Sequence, residues 1–220
     1  MSARESKYWP LNSLLLAVHD VTLRPVIESD LDALGDVVPD DLEMNPETLR
    51  PFGLDVAGTR AVALRQEYWK TLGAWTPDDW NLFLGVWSGD DLVGMQGLEG
   101  KDFLVLRTVE TWSWLRPKWR GRGLGKVART AVLALAFDGL EAQIALTEAW
   151  ADNDASLGVS TSIGYVPNGS VLHKRDDGTA FEMPRMRLDI DGWRAVARPR
   201  VVIEGLGPCL PWFGVSHPSE

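Results

Sequence analysis

A single mixed α/β domain, in which a hairpin-rich sheet is interrupted by helices, is the fold class that this 220-residue sequence predicts. Three observations point there. Period-two stretches such as "WNLFLGVWSGDDLVGMQGLEG" fold about glycine-aspartate turns. Runs such as "GTRAVALRQEYWKTLGAW" and "LGKVARTAVLALAF" repeat apolar residues at helical spacing. The elements follow one another as β-α-α-β-β-β-α-β-α-β-β, which mixes hairpins with helical insertions.

Taken in order, "SLLLAV" and "VTLRPV" are short β-prone runs around His19-Asp20 and read as an opening hairpin. "ESDLDALGDVV" is a short helix that Ser29 can cap. Prolines and a glycine make "PDDLEMNPETLRPFGLD" a loop, and Val62, Leu64, Tyr68, Trp69 and Leu72 give the second helix its apolar positions. Two strands meet at Gly89-Asp90-Asp91, and "KDFLVLRTVETWSWL" continues as strand to Leu115. Next comes a helix with Leu124, Val127, Ala128, Ala131, Val132 and Leu135 on one side and Lys126, Arg129 and Thr130 on another. "QIALTEAWA" is a strand, "DNDASLGVSTSIGY" a helix ending at Gly164, and "SVLHKRDDGTAFEMPRMRLDI" two strands around Asp177-Gly178. Past Trp193 the proline- and glycine-rich sequence reads as an extended arm over residues 194–220.

Composition narrows the function. A formal net charge of -9 works against nucleic acid and anionic membrane as partners. The lone Cys209 cannot form an internal disulfide, which fits a reducing cytoplasm, and no Cys/His cluster has metal-ligand spacing. No run approaches the roughly 20 apolar residues of a membrane span, and no secretory cleavage site follows the short apolar patch Leu14 to Val18.

Against this acidic background stands "WLRPKWRGRGLGKVARTAVLALAF", with Arg116, Lys118, Arg120, Arg122 and Lys126 crowded around Gly121, Gly123 and Gly125 just before a helix. A helix start offers unpaired N–H groups and a positive dipole end, and glycines let a phosphate approach the backbone. Two phosphate-binding designs fail on spacing. The P-loop would need glycine at Arg120 and a hydroxyl at Val127, and the dinucleotide fingerprint would need glycine at Lys126.

The pattern Arg/Gln-x-x-Gly-x-Gly/Ala is met by Arg120, Gly121, Arg122, Gly123, Leu124 and Gly125, and here the chain resembles the GCN5-related N-acetyltransferase (GNAT) superfamily. A second stretch, "NDASLGVSTSIGY", resembles that superfamily's Asn-x-x-Ala/Ser…Gly-Phe/Tyr helix through Asn153, Ser156, Val159, Gly164 and Tyr165. Within the superfamily "TLRPVIESDLDAL", "VETWSWL" and "RLDIDGWRA" are most similar to the ribosomal-protein N-terminal acetyltransferase (RimJ/RimL-like) branch. The resemblance covers residues 21–193; residues 1–20, which begin the opening hairpin, and the arm lie outside it.

The resemblance implies an acyl-CoA N-acyltransferase fold with a splayed, mostly antiparallel sheet flanked by helices. It implies transfer of an acetyl group from acetyl-CoA to a primary amine, a small molecule or a protein N-terminus, by direct attack in a ternary complex without metal. A homodimer is compatible with it. Succinyl-CoA or another donor, and a non-catalytic acyl-CoA-binding module, stay open. The cofactor would be held by Trp114 and Leu115 main-chain groups, by the turn from Arg120 through Gly121, Arg122, Gly123, Leu124 and Gly125 to Lys126, and by Asn153 and Ser156.

Glu110 is the candidate base. It lies where the branch often carries a carboxylate and shares a strand face with Trp112 and Trp114, whose rings would raise its pKa; a salt-bridged structural glutamate is the other reading. Many relatives use a tyrosine as thiolate donor where this chain has Ser160, so Ser156 becomes the candidate, against a packing role. Tyr165 reads as core. Trp69, Trp75, Trp112 and Trp150, of eleven tryptophans, fall in elements that border the acceptor cleft of the family. His19, His173 and His217 read as isolated turn or surface residues. Glu28 to Asp55 holds nine acids against the single Arg50, either a rim attracting cationic amines or a solvated face.

Overall fold

The computed structural model describes residues 8–42, 53–174 and 178–215. Arg50, Asp177 and His217, named above, and Glu43 and Glu47, two of the nine acids, lie outside these residues. The hairpin-rich sheet is present and has nine strands: β1 (Leu15–Val18), β2 (Val21–Pro25), β3 (Trp80–Ser88), β4 (Asp91–Gly100), β5 (Thr108–Leu115), β6 (Ile144–Glu148), β7 (Val166–Lys174), β8 (Ala180–Asp189) and β9 (Val202–Glu204). Their order is β7-β8-β6-β5-β4-β3-β2-β1-β9. Every neighbouring pair is antiparallel except β5 with β6, which is parallel. The helices are α1 (Leu31–Gly35), α2 (Val56–Ala74), α3 (Phe103–Leu106), α4 (Leu124–Ala134), α5 (Asp154–Ile163) and α6 (Ile190–Ala195).

Two cores sit on the two faces of the sheet. The larger one packs α4, through Ala128, Ala131, Val132 and Leu135, against strand residues such as Leu16, Leu84, Leu98 and Val109. The smaller packs Leu31 and Leu34 of α1 and Tyr68 of α2 over Phe83, Met95 and Trp114. This division follows from β-strand alternation, which sends neighbouring side chains of β4 and β5 to opposite faces.

Local chemistry explains where elements start and stop. His19 turns the first hairpin with a left-handed φ of 53°. Ser29 does not cap α1; instead Asp30 accepts from the Ile27 N–H and holds Arg24 with two bonds of 3.0 Å. Asp55 caps α2 by accepting from the Gly58 N–H at 2.7 Å.

The strand expected from Lys101 is broken by α3. Asp102 and Arg107 flank it with left-handed φ of 49° and 46°, which turn the chain in and out again. Phe103 is thereby buried edge-on against Trp80, while Leu104, Val105 and Leu106 stay exposed. An apolar run of four residues cannot be told from strand by periodicity alone.

Residues past Trp193 do not simply drape over the domain. β9 pairs antiparallel with β1, and a 3-10 helix follows over Gly207–Phe213. Cys209 and Phe213 are fully buried, and Phe213 meets Trp75 and Trp80 at ring-centroid distances of 5.5 and 4.9 Å. Burial pushes the Cys209 thiol up to about 11, so it is an inert core group. Phe213→Ala should therefore cost about 3–5 kcal/mol, the range for a buried phenylalanine. Urea unfolding would measure this, and an unchanged midpoint would mean that the tail adds nothing to the core.

Candidate functional site

β5 and β6 pair only over Thr108–Glu110 and Ile144–Leu146, after which the strands separate into a fork. The last link is made by side chains: the Thr147 hydroxyl donates to the Thr111 carbonyl at 2.8 Å. The Thr111 carbonyl thus faces β6, and by alternation so do the main-chain groups of Ser113 and Leu115, beyond the end of the β6 pairing. The opposite edge of β5, which includes the main chain of Trp114, is turned toward β4.

At the mouth of the fork the basic turn leads into α4. Gly121 and Gly123 have φ of 74° and 80°, a region that glycine enters without strain. A Cβ at either would meet nothing within 4 Å, so the cradle is open. Gly123 is the N-cap, no side chain caps the helix, and no acceptor among the described residues takes the N–H groups of Leu124, Gly125 and Lys126. Those N–H groups and the helix dipole suit an anion. Gly125 packs on the fork instead, where an added Cβ would lie 3.7 Å from Leu115 and 4.0 Å from Val159.

The turn's cations differ in their availability. Arg120 donates to the Leu115 carbonyl at 3.0 Å and grips Asp41 through both terminal nitrogens. That contact is the main reason the Asp41 carboxyl is held below its ordinary range. Lys118 and Arg122 lie over the Trp119 ring, and Lys126 is exposed. In α5, Asn153 caps the helix by accepting from the Ser156 N–H at 3.0 Å, so its side-chain oxygen is engaged there. Ser156 is half-buried, and Ser160, deeply buried, donates back to the Ser156 carbonyl.

On the other face of the sheet, under α1 and α2, a cavity of about 380 Å³ opens between Leu64, Glu67, Phe83, Glu99, Trp112 and Trp114 and reaches Ser113 at the fork. Glu99 was not legible as a site residue. It lies directly across the β4–β5 pair from Glu110, so the two carboxylates share a face. Glu99 is hydrogen-bonded by the Trp112 indole N–H. Burial raises its pKa above the ordinary value, the Glu110 charge adds to that, and the indole opposes it.

Glu110 lies outside the cavity lining, in an ionic cluster. Arg185 donates to it at 3.2 Å and also lies 3.3 Å from Glu148. Burial raises the Glu110 pKa first and the Glu148 charge second, with Arg185 opposing. His173 joins the cluster at 2.6 Å from Glu148 and stacks on Phe181, so it is not isolated.

The four tryptophans are scattered. Trp112 lines the cavity, and Trp150 stacks on Phe181 with centroids 4.2 Å apart. Trp69 is half-exposed and donates to Glu28 at 2.9 Å. Trp75 is packed among Trp9, Trp80 and Phe213 at the tail.

The acidic segment is mostly engaged internally. Asp30 holds Arg24, Asp32 meets Arg65, Asp40 meets Arg60, Asp41 meets Arg120 and Asp55 caps α2. Among the described residues one carboxylate trio, Asp78, Asp79 and Asp102, converges, and Asp78 also accepts from the Leu104 N–H at the start of α3.

Arg129 and Thr130, set by periodicity on a different side of α4 from its apolar stripe, are buried at 4% and 3% exposure. From Ala128 to Ala134 the helix is covered all round, so the polar positions of this stretch point into protein, while Lys126 in the first turn stays exposed. Arg129 spans the fork, donating to Thr147 at 3.1 Å and to Ser113 at 3.2 Å. Tyr165 is core, as the sequence suggests, with its hydroxyl 3.3 Å from that of Thr111.

An open sheet forked at its one parallel pair, with a bare glycine-flanked helix start beside the fork, defines an acyltransferase-type scaffold. Residues 20–166 match the family model described as acetyltransferase (GNAT) domain, and the chain belongs to that family. The fold is shared with solved structures of low identity. A protein from T. thermophilus with a proposed acetyltransferase activity superposes at a TM-score of 0.64 with 17% identity, over 82% of this chain and 92% of that one. A mutant form of the spermidine N-acetyltransferase SpeG from Vibrio cholerae gives 0.63 with 16% identity, over 80% and 99%. A Vibrio cholerae protein with a proposed ribosomal-protein-serine acetyltransferase activity gives 0.60 with 14% identity, over 80% and 97%. Among the described residues no helix is long and apolar enough to cross a membrane.

The raised pKa of Glu99 has a consequence for stability. A carboxyl whose folded pKa lies above its unfolded one favours folding fully below the unfolded value, about 4.3, and loses that contribution as pH rises through the folded value. Glu99→Gln keeps an acceptor for Trp112 and removes the ionisation. The variant should match wild type at acid pH and become the more stable protein toward neutrality, as read by urea midpoints across pH. A constant difference between the two would show that Glu99 ionises without penalty.

Proposed function

We propose that the chain moves an acetyl group from acetyl-CoA to a primary amine by direct attack within a ternary complex. The observation that carries this reading is the bare first turn of α4 at the mouth of the fork. In this reading the Leu124, Gly125 and Lys126 N–H groups take the pyrophosphate, with Arg122 and Lys126 as outer cations. The pantetheine amides extend the β5 edge at Ser113 and Leu115, as a peptide strand would. Arg120 joins the phosphates by exchanging its Asp41 carboxylate for them. Coenzyme A supplies the activated thioester, and the protein supplies placement, which alone lowers the barrier substantially.

The acceptor amine enters through the cavity under α1 and α2, largely apolar in its walls, with carboxylates at Glu99 and Glu67 and with Arg60 at its lining neutralised by Asp40. Glu99 is the better placed base. It lies in the cavity with a raised pKa, whereas Glu110 is held by Arg185 and tunes the field from the adjoining strand. The spermidine specificity of one structural neighbour supports an amine acceptor. Among the described residues most acids of the 28–55 segment are paired, so selection for a cationic amine is assigned to the cavity carboxylates.

Two measurements test this. Gly123→Val places a branched side chain in the open cradle, and calorimetric affinity for coenzyme A should fall at least tenfold while circular dichroism stays native. Unchanged affinity in the folded variant would remove the turn as the phosphate site. Glu99→Gln should lower kcat/KM by roughly 10²-fold, within the range for one acid-base group, and flatten the acid limb of the pH–rate profile with donor affinity unaltered. A larger loss in Glu110→Gln would transfer the role of base to Glu110.

A further inference from the structure

Arg129 is a cation in the core without an anion. It lies on α4, six residues past the Gly123 cap, and is 4% exposed. Its two terminal nitrogens bridge the fork to Thr147 and Ser113, and its Nε–H has no partner. Among the described residues no carboxylate pairs with it. The titratable neighbour on its own face is the buried Tyr165; Glu110 lies on the opposite face of β5. A buried guanidinium without a carboxylate is costly; its hydrogen bonds offset part of that cost, and an anion arriving nearby would offset more.

The two hydroxyls it holds are not equivalent. Thr147 passes its own proton on to the Thr111 carbonyl. Ser113 accepts from Arg129 and makes no other hydrogen bond among the described residues, so its O–H is free to donate. Ser113 is also exposed, on the β5 edge at the fork where the acceptor cavity ends. A hydroxyl that accepts from a guanidinium is polarised into a stronger donor.

We propose that the Ser113 hydroxyl, held and polarised by Arg129, is the hydrogen-bond donor to the departing thiolate of coenzyme A, with Arg129 as positioning residue and counter-charge. This rests on the reading that the acyl-CoA thioester lies in the fork. The acceptor enters as an ammonium and loses one proton to the base. Its nitrogen lone pair then forms the C–N bond, the C–S bond breaks, and the electron pair leaves on sulfur. The nitrogen gives up its second proton to solvent, because the base already holds the first, and the base returns that proton to water before the next turnover. The thiolate accepts the Ser113 hydrogen bond and takes a proton from water on release.

The test uses the full chain with free coenzyme A as probe, following thiolate absorbance of the complex as pH is raised. Wild type should bind the thiolate at least tenfold more tightly than the thiol. The bound thiol then ionises at least one pH unit below the thiol of free coenzyme A titrated in parallel. Arg129→Met should abolish that preference, Arg129→Lys should keep part of it, and Ser113→Ala, which leaves the core intact, should weaken it. Ser113→Ala should also lower kcat tenfold or more with less than a twofold change in KM for acetyl-CoA.

An ordinary titration of bound coenzyme A in wild type overturns the proposal. So does a Ser113→Ala enzyme with native titration and kcat, which would leave Arg129 a purely structural tie. A wild-type preference for succinyl-CoA over acetyl-CoA that Arg129→Met erases also overturns it, by giving the cation to an acyl carboxylate. Failure of wild type to bind coenzyme A at all removes the functional reading and this one together, whereas binding with an unshifted thiol removes only this one.

Discussion

Parallel pairing that stops after Glu110 and Leu146 is the constraint on which the molecule's working parts depend. A sheet paired along its whole length would be a wall between α4 and α2. Ending the ladder early opens a passage from the helix start on one face to the carboxylated cavity on the other. The passage needs polar closure at its base, because main-chain groups released from a ladder must find partners. Thr147, Thr111 and Arg129 provide it with side chains instead of backbone.

Charge is distributed by pairing more than by region. The chain is acidic overall, yet Asp41 is committed to Arg120, Asp40 to Arg60 and Asp32 to Arg65. These exposed pairs add little stability. Their effect is positional: the Asp41–Arg120 contact ties the connection after α1, which lines the cavity through Val38 and Leu42, to the glycine turn across the fork.

Much of the architecture was legible because hairpin turns and the amphipathic start of α4 are written in short-range pattern. What stayed hidden depends on distance in sequence. Glu99 reads as one more polar residue of a hairpin until the register sets it opposite Glu110 and under Trp112. Periodicity groups Arg129 with Lys126 and Thr130 away from the apolar stripe, and its burial, with bonds to Ser113 on β5 and Thr147 on β6, depends on contacts distant in sequence. The segment "DFLVLR" reads as strand because its left-handed ends have no glycine to announce them. The tail reads as an arm because prolines and glycines mark loops wherever the loop lies, although here they deliver Phe213 into the core.

That last placement bears on the order in which the protein can be completed during synthesis. Leu15 to Ala17 pair with Val202 to Glu204, and the aromatic end formed by Trp9, Trp75 and Trp80 is closed by Phe213. A chain emerging from its N-terminus therefore carries a first hairpin with its outer edge unpaired and an open cluster of indole rings until more than two hundred residues have been made. This end is completed only after Phe213 has been made, and until then its indole rings lack that cover.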